Sequence, residues 1–222
     1  GLNLLNDSSR NIITVEDPVE YAIDGVSQTQ VNTKVGMTFG KGLRAILRQD
    51  PDIIMVGEIR DFETAEIAIQ ASLTGHLVLS SVHTNNASSA ITRMKDMGIE
   101  SYLLASTVKG ILAQRLVRKL CVACKEEYKS ITDVHGIPLD SKLFRPKGCS
   151  VCNETGYTGR IGVFEFLSIN DKLKEAINND SSEESISNIA FKNQNNLVQS
   201  GVELVTKGLT SVDELMRVTK EQ

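Results

Sequence analysis

Residues 53–57 read Ile-Ile-Met-Val-Gly and are followed at once by Glu58. An apolar run of this length, with Asp50-Pro51 before it and a glycine after it, has the pattern of a strand buried on both faces, which is the mark of a parallel sheet. Parallel strands need crossover connections, and in open α/β folds their C-terminal ends line the crevice where ligands bind. The stretch thus calls for an α/β architecture and sets a carboxylate at its ligand-binding edge.

The flanking sequence extends that reading. Residues 11–16 (NIITVE) form a β-rich run ending in acids and a proline, the pattern of a buried strand feeding a loop. Residues 28–35 alternate polar and apolar and predict an exposed strand or ribbon. Residues 39–49 carry Leu43, Ile46 and Leu47 at helical spacing. Residues 63–73 predict a helix stopped by Gly75, and residues 76–82 (HLVLSSV) a third core strand ending in His83-Thr84. Residues 86–97 predict a helix closed by Gly98, and residues 102–120 one or two more. Strand–helix alternation of this kind implies a parallel sheet with crossover helices.

Past residue 120 the texture changes. A cysteine-bearing stretch leads to a glycine-rich turn at 156–160 and a short strand at 161–166. Residues 171–222 are polar and helical, with an apolar stripe of Leu197, Val198, Val202, Leu204 and Val205. Ser211 caps a last helix over 212–218. The expected division is 1–118 for the α/β core, 119–166 for the cysteine element with its turn and strand, and 167–222 for a helical C-terminal region.

Composition narrows the function. Across 222 residues the net charge is −4 and the pI about 5.5, which disfavours a nucleic-acid binder with its basic excess. No apolar run nears the roughly 18–20 residues that span a bilayer, so direct membrane insertion is not expected. The first residue is Gly1 rather than Met, and the sequence is expected to be a fragment.

Three expected strand ends carry Glu16-Asp17, Glu58 and His83-Thr84. Together they place two carboxylate sites and a histidine at one sheet edge. Carboxylates there can hold Mg²⁺ through water or polarise a nucleophilic water, and a histidine can hydrogen-bond a terminal phosphate. Taken singly, Glu58 reads as a cap or surface acid and His83 as an ordinary polar strand end; the three strand ends together favour a site. Such an acid strand in a nucleoside-triphosphatase usually partners a glycine-rich phosphate loop. The sequence GMTFGKG at 36–42 is no such loop, because Val35 stands where the first glycine belongs and Gly42 replaces the Mg²⁺-binding hydroxyl.

Cys121, Cys124, Cys149 and Cys152 form two C-x-x-C pairs, 24 residues apart. That set suits a closed, structural Cys₄ zinc site, with Arg118, Lys119 and Lys125 favouring thiolates. Two disulfides, or four unrelated buried cysteines, are the alternatives. A nucleic-acid-binding ribbon finds little support, since the window holds few stacking aromatics. His135 lies between the pairs, but four cysteines already complete a tetrahedron. His76 reads equally as a structural histidine or a site residue. Arg160 reads as a phosphate or base contact or as half of a surface ion pair.

ITVEDPVEY at 13–21, LRQDPDIIMVGEIRD at 47–61 and GHLVLSSVHTNNA at 75–87 resemble, in order, the aspartate, Walker B and histidine boxes of the ATPases of type II secretion and type IV pilus assembly. The resemblance continues through AQRLVRKLC, the paired cysteines, TGYTGRIGVFE and LTSVDELMRVT. It covers nearly the whole chain. The four cysteines are similar to those of the assembly and secretion branch; the pilus-retraction branch lacks them.

This resemblance implies a RecA-like P-loop NTPase core, truncated at its start, with a Cys₄ zinc-binding element and a helical C-terminal region. It implies a Walker A loop just upstream of GLNLLN. It implies Glu58 as the acid that orients or activates water, with Glu16 and Asp17 near Mg²⁺ and water and Glu20 nearby. It implies His83 as the γ-phosphate sensor, His76 as a weaker member of the same box, and zinc on the four cysteines. Arg160 is carried with the nucleotide-binding set. Asn86 stands where the family often has aspartate, with little expected effect because either residue caps a helix. The parent is expected to be a cytoplasmic hexamer that couples ATP hydrolysis to pilin or pseudopilin assembly through inner-membrane platform partners. The fragment alone is expected to bind ATP weakly and not to turn it over. A non-catalytic, zinc-bearing assembly module is the rival reading.

Overall fold

The structure is a computed structural model that describes residues 1–129, 136–137 and 141–219. The chain divides into two compact units. The first comprises Gly1–Thr84, Ala90–Lys109 and Asn170–Glu183, and the second Asn85–Ser89, Gly110–Ile169 and Glu184–Gln222.

In the first unit a short helix α1 (Leu2–Leu5) precedes β1 (Ile12–Glu16), β2 (Ser27–Gln30), α2 (Phe39–Ile46), β3 (Ile53–Val56), α3 (Phe62–Leu73) and β4 (Leu77–Ser80). The four strands form one sheet in the order β2-β1-β3-β4, and every pairing is parallel. All five residues of β1 are buried. That satisfies the expectation of a buried strand at the sheet centre. Leu2, Ile12 and Ile53 pack together with Leu5, Ile23, Val26, Met55 and Leu79 against them.

Helix α2 starts at the Thr38 cap, whose hydroxyl accepts from the Lys41 amide. It lies so close to β1 that a Cβ at Gly42 would stand 2.8 Å from Val15 Cγ2. Gly42 therefore serves helix–sheet packing, in keeping with the rejection of GMTFGKG as a phosphate loop. Helix α3 is capped by Asp61, which accepts from the Thr64 amide at 2.8 Å, and Gly75 follows it at φ +102°. Helix α4 (Ala87–Asp96), which belongs to the second unit through Ser89 and to the first from Ala90, is capped by Asn86, which accepts from the Ser89 amide at 2.7 Å. The asparagine thus does the capping expected of it. Helices α5 (Ser101–Thr107) and α6 (Asp171–Asn178) complete the unit.

Three local expectations are corrected. The exposed strand or ribbon expected over 28–35 is present only as a four-residue edge strand, β2, and the rest gives way to a 3₁₀ turn at Thr33–Val35. The third core strand is β4, an edge strand of the described sheet with Leu77 and Ser80 exposed. Residues 102–120 are helical only through α5; Gly110–Leu120 form an eleven-residue strand, β5.

In the second unit β5 pairs antiparallel with β8 (Tyr157–Ser168), which is twice as long as the strand expected at 161–166. Between them β6 (Glu126–Lys129) pairs with β7 (Lys142–Arg145). Helices α7 (Glu183–Ala190), α8 (Leu197–Thr206) and α9 (Val212–Thr219) follow. Val117, Val163 and Leu197 form one buried cluster, and Ile137, Leu143, Val205 and Leu215 another.

A fully buried carboxylate anchors α9. Glu214 accepts from the Arg118 backbone amide and guanidinium and from the Arg217 guanidinium, at 2.7–2.9 Å. Burial pushes its pKa up, but these hydrogen bonds outweigh that and hold it at about 2, against an ordinary 4.5. A depressed pKa contributes stability above the unfolded value and loses it as pH falls through the folded one. The unit is therefore expected to lose roughly 3 kcal/mol between pH 4.5 and 2 on this group's account. Urea titrations followed by circular dichroism across that range check this, and the loss should be absent in Glu214→Gln.

Candidate functional site

Because β1, β3 and β4 are parallel, their C-terminal ends share one edge of the first unit's sheet. Pairing persists beyond the strands. The Gly57 amide donates to Val15 O at 2.8 Å and the Ile59 amide to Ser81 O at 2.9 Å. Ser81 Oγ donates to Gly57 O at 2.7 Å. A Cβ at Gly57 would lie 3.3 Å from Glu16 Cα, so a glycine there lets β3 close against β1 just before Glu58.

Glu58 is 9% exposed, and both of its oxygens are engaged. His83 Nε2 donates to Oε2 at 3.0 Å, and the Arg60 guanidinium lies 2.6 Å from Oε1. The His83 side chain is 82% exposed and Arg60 65%, so the carboxylate is anchored while both of its partners face solvent. Chemically this is an acceptor aimed along the sheet edge, able to take a proton once either partner is drawn away.

Glu16 is also buried but holds different partners. Its Oε1 accepts from Thr14 Oγ1 at 2.5 Å and from Gln28 Nε2 at 2.9 Å. Gln28 also donates to Tyr21 O and accepts from the Ile23 amide, which ties the loop after β1 back to the sheet. Asp17 and Glu20 lie exposed in that loop. His76 stands before β4, at the opposite end of the strand from His83. Its Nδ1 is 3.0 Å from Ala71 O at the close of α3. Arg160 is exposed on β8 in the second unit, opposite Arg118. The structure thus joins Glu58 to His83 and leaves His76 apart from them. Arg60 was missed from the sequence, although its place two residues after Glu58 in an extended segment was the available signal.

Within the second unit, Cys121, Cys124, Cys149 and Cys152 are free thiols whose sulfurs all lie within 4.8 Å of one another. Three separations are 3.7, 3.8 and 4.0 Å. Four sulfurs each about 2.3 Å from a tetrahedral ion would stand about 3.8 Å apart, so the set fits a metal ion. The backbone supports the sulfurs. Cys152 Sγ accepts from the Cys149 and Gly156 amides at 3.3 and 3.2 Å. Burial pushes the Cys152 thiol up, those amides and the neighbouring thiols bring it down, and it settles at about 7. Burial holds Cys124 up at about 11. His135 lies outside the described residues.

The family described as "Type II/IV secretion system protein" matches residues 1–217. The chain belongs to that family. It is 53% identical over 227 residues to the type II secretion system ATPase E of Vibrio cholerae serotype O1, matching 100% of this chain and 45% of that protein. It is 50% identical to the putative type II secretion system protein E of Escherichia coli K12, over 98% of this chain and 45% of that protein. The chain therefore spans just under half the length of these curated relatives. Among solved structures, the pilus retraction motor PilT with bound ADP superposes at a TM-score of 0.74 and 28% identity, over 99% of this chain and 56% of that one. The Legionella pneumophila ATPase DotB, at 21% identity and a TM-score of 0.66, shares the fold. The secretion-family resemblance seen in the three boxes and the α/β class with a four-cysteine cluster are both as the sequence implied. No described helix is long and apolar enough to cross a membrane.

Proposed function

We propose that the complete protein is a motor subunit that couples ATP hydrolysis to pseudopilin assembly in type II secretion. The observation that carries this reading is Glu58, buried at the end of a parallel strand with His83 and Arg60 on its two oxygens. In this reading Glu58 orients and deprotonates the attacking water, and His83 reports the terminal phosphate. Glu16, with Asp17 and Glu20 in the following loop, serves the Mg²⁺ that accompanies ATP and neutralises phosphate charge. His76, at the opposite end of β4 from His83, is left out of this site, and Arg160 is carried only as a candidate phosphate contact of the second unit. The four cysteines hold a structural Zn²⁺, which the all-thiolate donor set and the sulfur spacing favour. The working assembly is a cytoplasmic homo-hexamer acting on inner-membrane platform proteins, with no nucleic-acid partner.

The test is Mg²⁺-dependent ATP hydrolysis by this 222-residue chain and by one extended upstream to its relatives' length. Only the extended chain is expected to turn over, because phosphate positioning supplies most of the catalysis in such enzymes. If the extended chain is also inert as an assembled hexamer, the motor reading fails and an assembly module takes its place.

A further inference from the structure

Glu165 is an acid at a position where the alternation of β8 calls for an apolar residue, since its same-face neighbours Val163 and Leu167 are core residues. It is 4% exposed. One oxygen accepts from the Ala87 amide at 2.6 Å and the other from the Leu197 amide at 2.8 Å. These are the first residues of α4 and α8.

The two helix starts are built alike. Asn86 and Asn196 each cap an amide three residues on, which leaves the first amide of each helix to another acceptor. A single carboxylate supplies it for both, at the positive ends of two helices far apart in sequence. Arg115, on the same face of β5, donates to the backbone and side-chain oxygens of Asn85 at 2.9 and 3.1 Å. The β5/β8 pair therefore grips the segment that leaves His83 by covalent continuity.

Two observations indicate that this grip is not a fixed floor. Asn85, Glu165, Asn196 and Leu197 border a common cavity of about 480 Å³, which gives either helix start room to move. Ser88 Oγ, one residue past the held amide, is buried with no partner among the described residues. An unsatisfied hydroxyl destabilises the arrangement that buries it.

We propose that Glu165 is a positioning residue that relays the state of the His83 strand end to the C-terminal helices, by holding the first amides of α4 and α8 on one carboxylate. This rests on the proposed role of His83 as a phosphate sensor. A shift of the 85–89 segment then draws on the start of α8 through a bond that only a two-oxygen acceptor can make at both ends.

The test is hydrogen exchange on the complete, full-length hexamer, with and without a non-hydrolysable ATP analogue and Mg²⁺, in unmodified protein and in Glu165→Gln. In unmodified protein the analogue should slow exchange both at 85–89 and at 197–200, by about threefold or more. Glu165→Gln keeps one acceptor but turns an amide donor toward the other helix start. It should retain the change at 85–89, lose it at 197–200, and lower kcat about tenfold with KM within about twofold. Glu165→Asp keeps the charge but reaches only one amide, and it should show the same uncoupling where the glutamine variant does not fold. A nucleotide response at 85–89 with equal responses at 197–200 in all three proteins overturns the relay alone. No response at 85–89 in unmodified protein removes the sensor role of His83, and the relay with it.

Discussion

Glu58→Gln in the upstream-extended chain lowers ATP turnover by about 10²–10⁴-fold, the range attached to a general base. Glutamine keeps the length and planarity of the side chain, and its oxygen can still accept from His83 or Arg60. What it loses is the ability to take a proton. ATP binding is therefore expected to stay within about twofold, with the loss confined to kcat, the signature of an interaction needed only in the transition state. Nucleotide binding by calorimetry beside steady-state hydrolysis separates the two quantities. A weakened ATP affinity with unchanged kcat would show instead that Glu58 holds nucleotide and that the water is handled elsewhere.

Removing the metal has the largest expected effect on stability. Elemental analysis of the purified protein should find one zinc per chain. The apparent binding free energy of structural zinc sites, about 10–16 kcal/mol near neutral pH, exceeds or rivals the whole stability of a domain. Chelation or Cys152→Ser is thus expected to unfold the stretch around the two cysteine pairs, because Cys152 also accepts the Cys149 and Gly156 amides that shape the turn into β8. Limited proteolysis should then cut between residues 121 and 156 while the sheet of the first unit resists. A protein purified without metal, with a melting temperature indifferent to chelator, would mean that four packed thiols suffice.

The elements legible in the sequence were those whose signal is local. Ile53–Val56 is an uninterrupted apolar run, and the helix starts at Asp61, Asn86 and Ser211 carry their own caps. Strand β5 was misread as helix because the adjacent apolar pairs Ile111-Leu112 and Leu116-Val117 break the alternation that marks a half-buried strand. What makes it a strand is pairing with β8, about 50 residues away, which no local window contains. The candidate site divides in the same way. Glu58 and His83 stand out as polar residues that end strands, and the cysteines through their spacing. Arg60 hides as an ordinary surface arginine, and Gln28 as one polar residue in a polar strand. Glu165 and Glu214 needed a different question: why an acid sits where the pattern requires burial. Glu165 is answered by two backbone amides far along the chain, and Glu214 by the distant Arg118 together with Arg217 three residues on.

Strand β4 has a practical consequence. Its four residues, Leu-Val-Leu-Ser, carry no charge and no proline, and it ends the described sheet. Uncharged outer strands of this kind invite another chain to add its own strand, the route by which sheets grow into aggregates. The opposite outer strand, Ser-Gln-Thr-Gln, is polar throughout and a poorer template. Self-association of concentrated samples is therefore expected to begin at Leu77–Ser80, and a single lysine at Val78 is the smallest change that would blunt it.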